Sequence, residues 1–165
     1  MTARTVVCLD DDSGFLEDAL LELEDGDWEL VRCTTPDAAR EALQAAPGPV
    51  LAVLDHDLGL VEEGYDVARW IRAELPRGAF VPVVYLTAKQ TDEEFTAVQR
   101  SHPFAHPNLI LSKRMLGDRT FDFSDMVEDL FEQAVQAEAV AEEQALRASL
   151  QVIAAAGSLD LEDGA

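Results

Sequence analysis

The chain has little cysteine, little basic charge and no long apolar run, and each shortage excludes a class of protein. Two cysteines and three scattered histidines among 165 residues form no zinc-ligand spacing, and Cys8 and Cys33 lie in apolar runs that predict buried thiols. Twelve basic against 33 acidic residues give a net charge of −21, which repels nucleic acids and anionic membranes. No run is long enough to cross a membrane, and the first apolar run is too short for a signal peptide. We therefore expect a cytoplasmic protein with no nucleic-acid or membrane partner.

Apolar side chains are abundant, at 48% of the sequence, and they fall in two alternating patterns. Short runs with little polar alternation are typical of strands buried on both faces of a parallel sheet. Segments with apolar residues three and four apart are typical of amphipathic helices. The predicted strands are Val6–Leu9, Trp28–Cys33, Val50–Leu54, Val81–Leu86 and Leu109–Leu111. The predicted helices are Phe15–Leu23, Pro36–Ala45, Tyr65–Leu75 and Asp92–Arg100. This alternation predicts an α/β fold with helices on both faces of a parallel sheet.

The last part of the chain follows neither short pattern. From about Asp122 to Ala156 it is rich in Ala, Glu and Gln, which predicts one helix far longer than is usual in globular proteins. We divide the chain into a globular part at 1–122, a last helix at 123–157 and a disordered acidic tail at 158–165. Leu146, Leu150 and Ile153 form an apolar stripe that one domain cannot bury, so we expect a homodimer or partner contact there.

Polar residues of complementary chemistry follow the predicted strands. Asp10 and Asp11 follow the first strand, Asp55 the third, Thr87 the fourth and Lys113 the fifth. The carboxyl ends of parallel strands share one edge of a sheet, where ligands bind. Clustered carboxylates require a cation, and oxygen ligands with room for water suit Mg²⁺. A strand-end carboxylate can then act as a nucleophile and become an aspartyl phosphate. Asp12 is predicted to cap the following helix instead.

Five segments together resemble the receiver domain of bacterial response regulators, the CheY-like superfamily of two-component systems. They are VVCLDDDSGF, VLAVLDHDLG, GYDVARWIR, PVVYLTA and ILSK, and the resemblance runs from about Arg4 to Lys113. It implies a flavodoxin-like, doubly wound, five-stranded parallel sheet of order 2-1-3-4-5, here with an extended C-terminal helix. It also implies a phosphorelay switch and not a turnover enzyme. The sequence shows no second globular unit and no basic recognition helix after the last predicted strand, so we expect a single-domain regulator that signals by protein contact.

The resemblance assigns a role to each strand-end residue. Asp55 is the implied phosphoacceptor, Thr87 the switch hydroxyl and Lys113 the phosphate-binding lysine. Mg²⁺ would be bound by Asp11, Asp55 and the backbone carbonyl of Asp57, with Asp10 acting through water. The phosphoryl donor would be a sensor histidine kinase or a phosphotransfer protein.

The sequence departs from the family pattern around this set. Gly59 and Arg114 stand where prolines are usual, and Ile110 stands where the family has a switch aromatic. We expect His56 to be an exposed loop residue. We also predict that Asp57 and Lys89 pair across the mouth of the site and limit the attack of water on a phosphorylated Asp55.

Two alternative functions remain open from the sequence. The segments Asp10-Asp11-Asp12-Ser13 and Asp55-His56-Asp57 also resemble haloacid dehalogenase-like phosphatases, but these need a second acidic pair after the lysine. Asp118 and Asp122 are predicted to lie in a loop and before a helix, so they match that pair poorly. The other alternative is a pseudo-receiver, a binding module that no longer switches by phosphate.

Overall fold

The computed structural model describes residues 3–18, 20–88, 91–101, 107–118 and 120–159, so Lys89 lies outside the described part of the chain. The strands are β1 Thr5–Leu9, β2 Glu29–Cys33, β3 Val50–Asp55, β4 Val83–Thr87 and β5 Leu109–Ser112. The helices are α1 Ser13–Asp18, α2 Pro36–Ala45, α3 Gly64–Glu74, α4 Asp92–Ser101 and α5 Phe123–Leu159. Short 3₁₀ turns lie at Leu21–Leu23, Gly78–Phe80 and Lys113–Gly117.

The five strands form one parallel sheet in the order β2-β1-β3-β4-β5, as the sequence predicts. Alternate residues of each strand face opposite sides, and both sides are buried against helices. One apolar cluster joins Val7, Leu54 and Tyr85 to α2 and α3. The other joins Val6, Val53 and Leu86 to α1 and the first half of α5. The sheet is therefore covered on both faces, and its polar residues collect at the strand ends.

Local caps explain most helix starts. The Thr35 hydroxyl accepts the Ala38 amide at 3.3 Å, with Pro36 at the first helical position. Thr91 and Glu94 exchange hydrogen bonds as a capping box, with the Thr91 hydroxyl accepting the Glu94 amide at 3.2 Å. The two helices begin at Pro36 and Asp92, as the sequence predicts.

The first helix differs from its prediction, which extended to Leu23. The Asp12 carboxylate accepts the Phe15 amide at 3.1 Å, so the helix begins at Ser13. The Trp28 indole donates to the Leu23 carbonyl at 2.8 Å, and Leu21–Leu23 forms a 3₁₀ turn. Trp28, which lies outside the predicted helix, thus stabilises a 3₁₀ turn at the end of this segment.

Helix α5 spans 37 residues, longer than any other element described here. Its first part buries Phe123, Val127 and Phe131 on the sheet. From Glu142 to Ala156 every side chain is exposed. The helix continues to Leu159, two residues beyond the predicted 157, and the rest of the predicted acidic tail lies outside the described residues. Within the described residues, no helix combines the length and apolar character needed to cross a membrane.

Candidate phosphoryl-acceptor site

Asp10, Asp55 and Lys113 meet at the carboxyl edge of the sheet. Asp55 ends β3, while Asp10 and Lys113 directly follow β1 and β5. The Lys113 ammonium lies 2.6 Å from Asp10 Oδ2 and 2.8 Å from Asp55 Oδ2. The two carboxylates are almost fully buried, at 1% and 4% exposure for Asp10 and Asp55. The Lys113 ammonium therefore bridges two buried carboxylates, as expected where the carboxyl ends of parallel strands meet.

Burial and neighbouring charge shift the pKa values of Asp55 and Lys113 in opposite directions. Burial raises the pKa of Asp55 above its usual range, and the hydrogen bond and charge of Lys113 offset this only in part. Partial burial alone would lower the pKa of Lys113, but the hydrogen bonds and charges of Asp10 and Asp55 outweigh it, and that pKa is raised. Lys113 therefore stays positively charged beside the buried carboxylates at this edge of the sheet.

The acidic cluster fits a divalent cation. Asp10, Asp11 and Asp55 each offer a carboxylate oxygen, and the three oxygens lie within 4.8 Å of one another. Asp11 is exposed, so the cluster is open to solvent on one side. Hard oxygen donors with room for water are the set that Mg²⁺ prefers. Asp12 instead caps α1 through Phe15, as predicted, and donates its own amide to Asp10 Oδ1 at 3.0 Å.

The loop after β3 is anchored to the same carboxylate. The Asp57 amide donates to Asp55 Oδ1 at 3.2 Å, and the Leu58 amide donates to Glu63 Oε2 at 2.5 Å. Gly59 has a φ of 63°, a left-handed conformation that proline cannot adopt. The absence of the family proline is thus matched by a different local backbone.

Gly64 allows α3 to approach the end of β3 closely. A Cβ at Gly64 would lie 1.9 Å from the backbone carbonyl oxygen of Asp55. No side chain larger than hydrogen fits that space without movement of the loop or the helix. The first residue of α3 is therefore in direct contact with the backbone of Asp55.

The fourth and fifth strands supply the hydroxyl side of the site. Thr87 is buried at the end of β4 and lies opposite Ser112 in the register of β5. The Ser112 hydroxyl accepts the Arg114 amide at 3.4 Å and caps the 3₁₀ turn Lys113–Gly117. Peptide bonds among the described residues are all trans, in keeping with Arg114 at this position. Ile110 of β5 lies opposite Tyr85 of β4 in the strand register, and the Tyr85 ring is buried.

The prediction that His56 is exposed is wrong, although the residue does lie in the loop after β3. Its side chain is buried, with 9% exposure, and its ring centroid lies 6.3 Å from that of Tyr85. The His56 amide donates to the Leu86 carbonyl at 3.2 Å, which continues the β3–β4 ladder past Asp55. Alternation along the strand then turns the histidine inward.

Three residues of the site were not identified from the sequence. Lys113 Nζ lies 4.5 Å from the centroid of the Phe15 ring, a cation–π distance. Glu63 accepts the Leu58 amide in the loop after β3, and Gly64 lies against the Asp55 backbone. Phe15 has the pattern of an ordinary core residue, and only the proximity of α1 to the end of β5 reveals its contact. For Glu63, its position just before a helix is the one available signal.

Sequence and structure comparisons agree on the class of protein. The sequence model of the cyclic-phosphate processing receiver domain family matches residues 5–95, more than half of the chain. The chain belongs to this family and is a receiver domain. No curated protein sequence matches it.

Several solved structures share the fold. A CheY-like receiver domain protein of Methanospirillum hungatei JF-1 is 15% identical, with a TM-score of 0.57 over 84% of this chain and 98% of its own. The receiver domain of the Francisella response regulator 1452 is also 15% identical, with a TM-score of 0.58 over 78% and 97%. The N-terminal domain of a response regulator/sensory box/GGDEF protein of Carboxydothermus hydrogenoformans is 19% identical, with a TM-score of 0.57 over 83% and 98%. At these identities the likeness shows the CheY-like fold alone.

Proposed function

We propose that this chain is a Mg²⁺-dependent phosphorylation switch whose acceptor is Asp55. The observation that carries the proposal is the Lys113 ammonium, which joins the buried carboxylates of Asp10 and Asp55. In this reaction an Asp55 carboxylate oxygen attacks the donor's phosphorus, and an O–P bond forms as the donor's bond to phosphorus breaks. The electron pair of that broken bond leaves with the donor group.

The surrounding residues position and neutralise the reacting groups. The Asp57 amide holds Asp55 Oδ1, so the carboxylate is oriented before the donor arrives. The Lys113 ammonium lies 2.8 Å from Asp55 Oδ2, so it can pair with the negatively charged phosphoryl oxygens once they are bound to Asp55. Thr87 ends the adjacent strand, and in the proposed reaction its hydroxyl donates to another phosphoryl oxygen.

Asp11, Asp55 and the backbone carbonyl of Asp57 would hold Mg²⁺, with Asp10 acting through water. When bound, Mg²⁺ would offset the negative charge that accumulates during phosphoryl transfer. Without a cation, Lys113 is the only positive charge described against three clustered carboxylates. We therefore expect acceptance to depend on the metal.

The donor we propose is the phosphohistidine of a sensor kinase or of a phosphotransfer protein. This donor chemistry operates in the cytoplasm, and we place the protein there. The output we propose is protein contact, including association with a second copy through α5. The gating pair of Asp57 and Lys89 remains a prediction, since only Asp57 is among the described residues.

Acetyl-phosphate labelling tests the acceptor directly. Intact-mass measurement with Mg²⁺ should show one added phosphoryl group on the wild type and none on Asp55→Asn. EDTA should suppress labelling of the wild type. Asp57→Asn, a neighbouring exposed carboxylate, is the matched control and should still be labelled. Equal labelling of Asp55→Asn and wild type would overturn the assignment, and absence of labelling in every protein would favour a pseudo-receiver.

A second candidate is the chemistry named in the family description, the processing of a cyclic phosphate. The same edge brings together acid, ammonium and hydroxyl groups able to bind a phosphodiester. Incubation with 2′,3′- and 3′,5′-cyclic nucleotides, followed by chromatography, would show a ring-opened monoester if this reaction occurs. The phosphatase alternative has weaker support, because Asp118 accepts the Thr120 amide at 2.9 Å and Asp122 the Asp125 amide at 2.9 Å, as capping residues.

A further inference from the structure

Helix α5 carries an apolar stripe that its own domain does not cover. Val135, Leu146, Leu150 and Ile153 are 52–67% exposed. At 100° per residue they lie within an arc of roughly 60°, together with Ala139. The stripe is about 27 Å long at 1.5 Å per residue. A surface helix normally buries such a stripe, so this one requires a partner.

An open apolar cavity lies where the stripe meets the domain. This basal groove, of about 420 Å³, is lined among others by Leu43, Pro47, Leu75, Phe131 and Val135. The residues before β3 and β4 form two of its walls, so it lies at the amino edge of the sheet, opposite Asp55. Arg77 pairs with Glu138 of α5 beside it. The groove and the stripe therefore share Val135 and form one continuous apolar surface.

Charge indicates which occupant this surface accepts. The acidic residues of α5 all lie between Asp125 and Glu143, and they include Glu132, Glu138 and Glu142. From Gln144 to Ala156 the only charged residue is Arg147. A basic partner would find no acidic residue along the distal stripe. In a chain of net charge −21, this neutral segment is where a second copy can approach with least repulsion.

The same charges select the direction of pairing. Parallel helices would align the acidic halves of both copies and place two acidic domains side by side. Antiparallel helices instead align each acidic half with the neutral half of the other copy. In an antiparallel pair, each side of one stripe faces the same side of the other stripe. Arg147 of each copy therefore lies near Glu143 of the other. Glu143 now pairs with Arg147 of its own helix at 2.6 Å, on an exposed surface.

We propose that two copies pair through antiparallel α5 helices, with Ile153 of each copy opposite Val135 of the other. The distal end of each stripe then covers the basal groove of the second copy. A two-fold axis near Gln144 relates the copies, and the interface is isologous. This arrangement specifies the self-association proposed above, and it does not involve the Asp55 site.

Sedimentation of the full chain tests the partner. The wild type should sediment at about twice the 18.0 kDa chain mass. Leu150→Gln should shift the protein to monomer with at least a tenfold weaker association. Val152→Gln, equally exposed but off the stripe, is the matched control and should remain dimeric. Monomeric wild type at high concentration, or equal loss in both variants, would overturn the interface.

Cysteine cross-linking tests the direction. The native Cys8 and Cys33 are buried, so oxidation reports the introduced thiols. A mixture of Val135→Cys and Ile153→Cys should form a covalent heterodimer, while each variant alone should not cross-link. Cross-linking of either variant alone would show parallel pairing and overturn the arrangement. Acetyl-phosphate labelling of Leu150→Gln should match wild type, which separates failure of the interface from failure of the Asp55 assignment.

Discussion

At the residue scale, burial of the Asp55 carboxyl should lower the stability of the fold near neutral pH. Its pKa is raised by burial in spite of Lys113, so its ionised form is less favourable in the folded than in the unfolded chain. The stabilising contribution of a carboxyl with a raised pKa is present in acid and is lost as the pH rises through the folded pKa. Asp55→Asn in metal-free buffer should therefore unfold at a higher free energy than wild type near neutral pH.

Denaturant titrations across pH test this prediction. The gain for Asp55→Asn should shrink as the pH falls through the ordinary aspartate pKa of about 3.9, because below it the wild-type carboxyl is protonated in both states. Asp57→Asn should show little change at any pH because Asp57 is exposed. A neutral-pH destabilisation of Asp55→Asn would show that the bond to Lys113 outweighs burial.

Asp11 and Asp12 are adjacent residues with different expected roles. Asp11→Asn should remove most Mg²⁺ binding, because it takes one of three clustered carboxylates. Asp12→Asn should bind Mg²⁺ almost normally and keep its cap, since asparagine is an equally good N-cap residue. Isothermal titration of Mg²⁺ into both variants gives the comparison. If Asp12→Asn loses binding and Asp11→Asn retains it, the ligand is Asp12.

Two glycines that follow β3 differ in why glycine is present. Gly64 has no room for a side chain, whereas Gly59 has open space but a positive φ. Gly64→Ala must displace the Asp55 carbonyl or α3, and we expect a loss of about 1–3 kcal/mol in unfolding free energy with slower labelling. Gly59→Asn has open space at its Cβ and keeps a residue that tolerates positive φ, so its cost should be small. Thermal unfolding and labelling rates of both variants measure this. A neutral Gly64→Ala would mean that the loop yields at little cost.

At the element scale, the sequence predicts what local chemistry determines. Helix α2 begins and ends at the predicted residues because Thr35 and Pro36 fix its start. The strands and their shared edge also follow from pattern, which brings Asp10, Asp55 and Lys113 together. The end of α1, the inward His56 and the Phe15 contact depend on neighbours distant in sequence, such as Trp28 and β5. The spacing of apolar residues along the chain gives no information about those contacts.

The two halves of α5 should contribute unequally to stability. Ending the chain after Val140 keeps the Arg77–Glu138 pair and every buried residue of the helix, so unfolding free energy of the monomer should change by about 0.5 kcal/mol or less. Phe131→Ala should cost about 3–5 kcal/mol, since its ring is buried beside Trp28. Chemical denaturation at low protein concentration measures both. Unfolding of the shortened chain would show that the distal half supports the domain.

At the scale of the whole molecule, charge should set the strength of assembly. Two chains of net charge −21 repel each other, and salt shortens the range of this repulsion to about 10 Å at 0.1 M. Because the paired stripes are mainly apolar, added salt should strengthen the dimer. Sedimentation at low and high ionic strength tests this, and weakening by salt would instead indicate an interface held by ion pairs.

Helix α5 leaves the domain at the amino edge of the sheet, whereas the acceptor lies at the carboxyl edge. In the paired arrangement the two acceptors would thus point outwards from the assembly, each open to its own donor. Neither modification would then obstruct the other. At half saturation the commonest species would carry a single phosphate, so the assembly would report donor activity in graded steps.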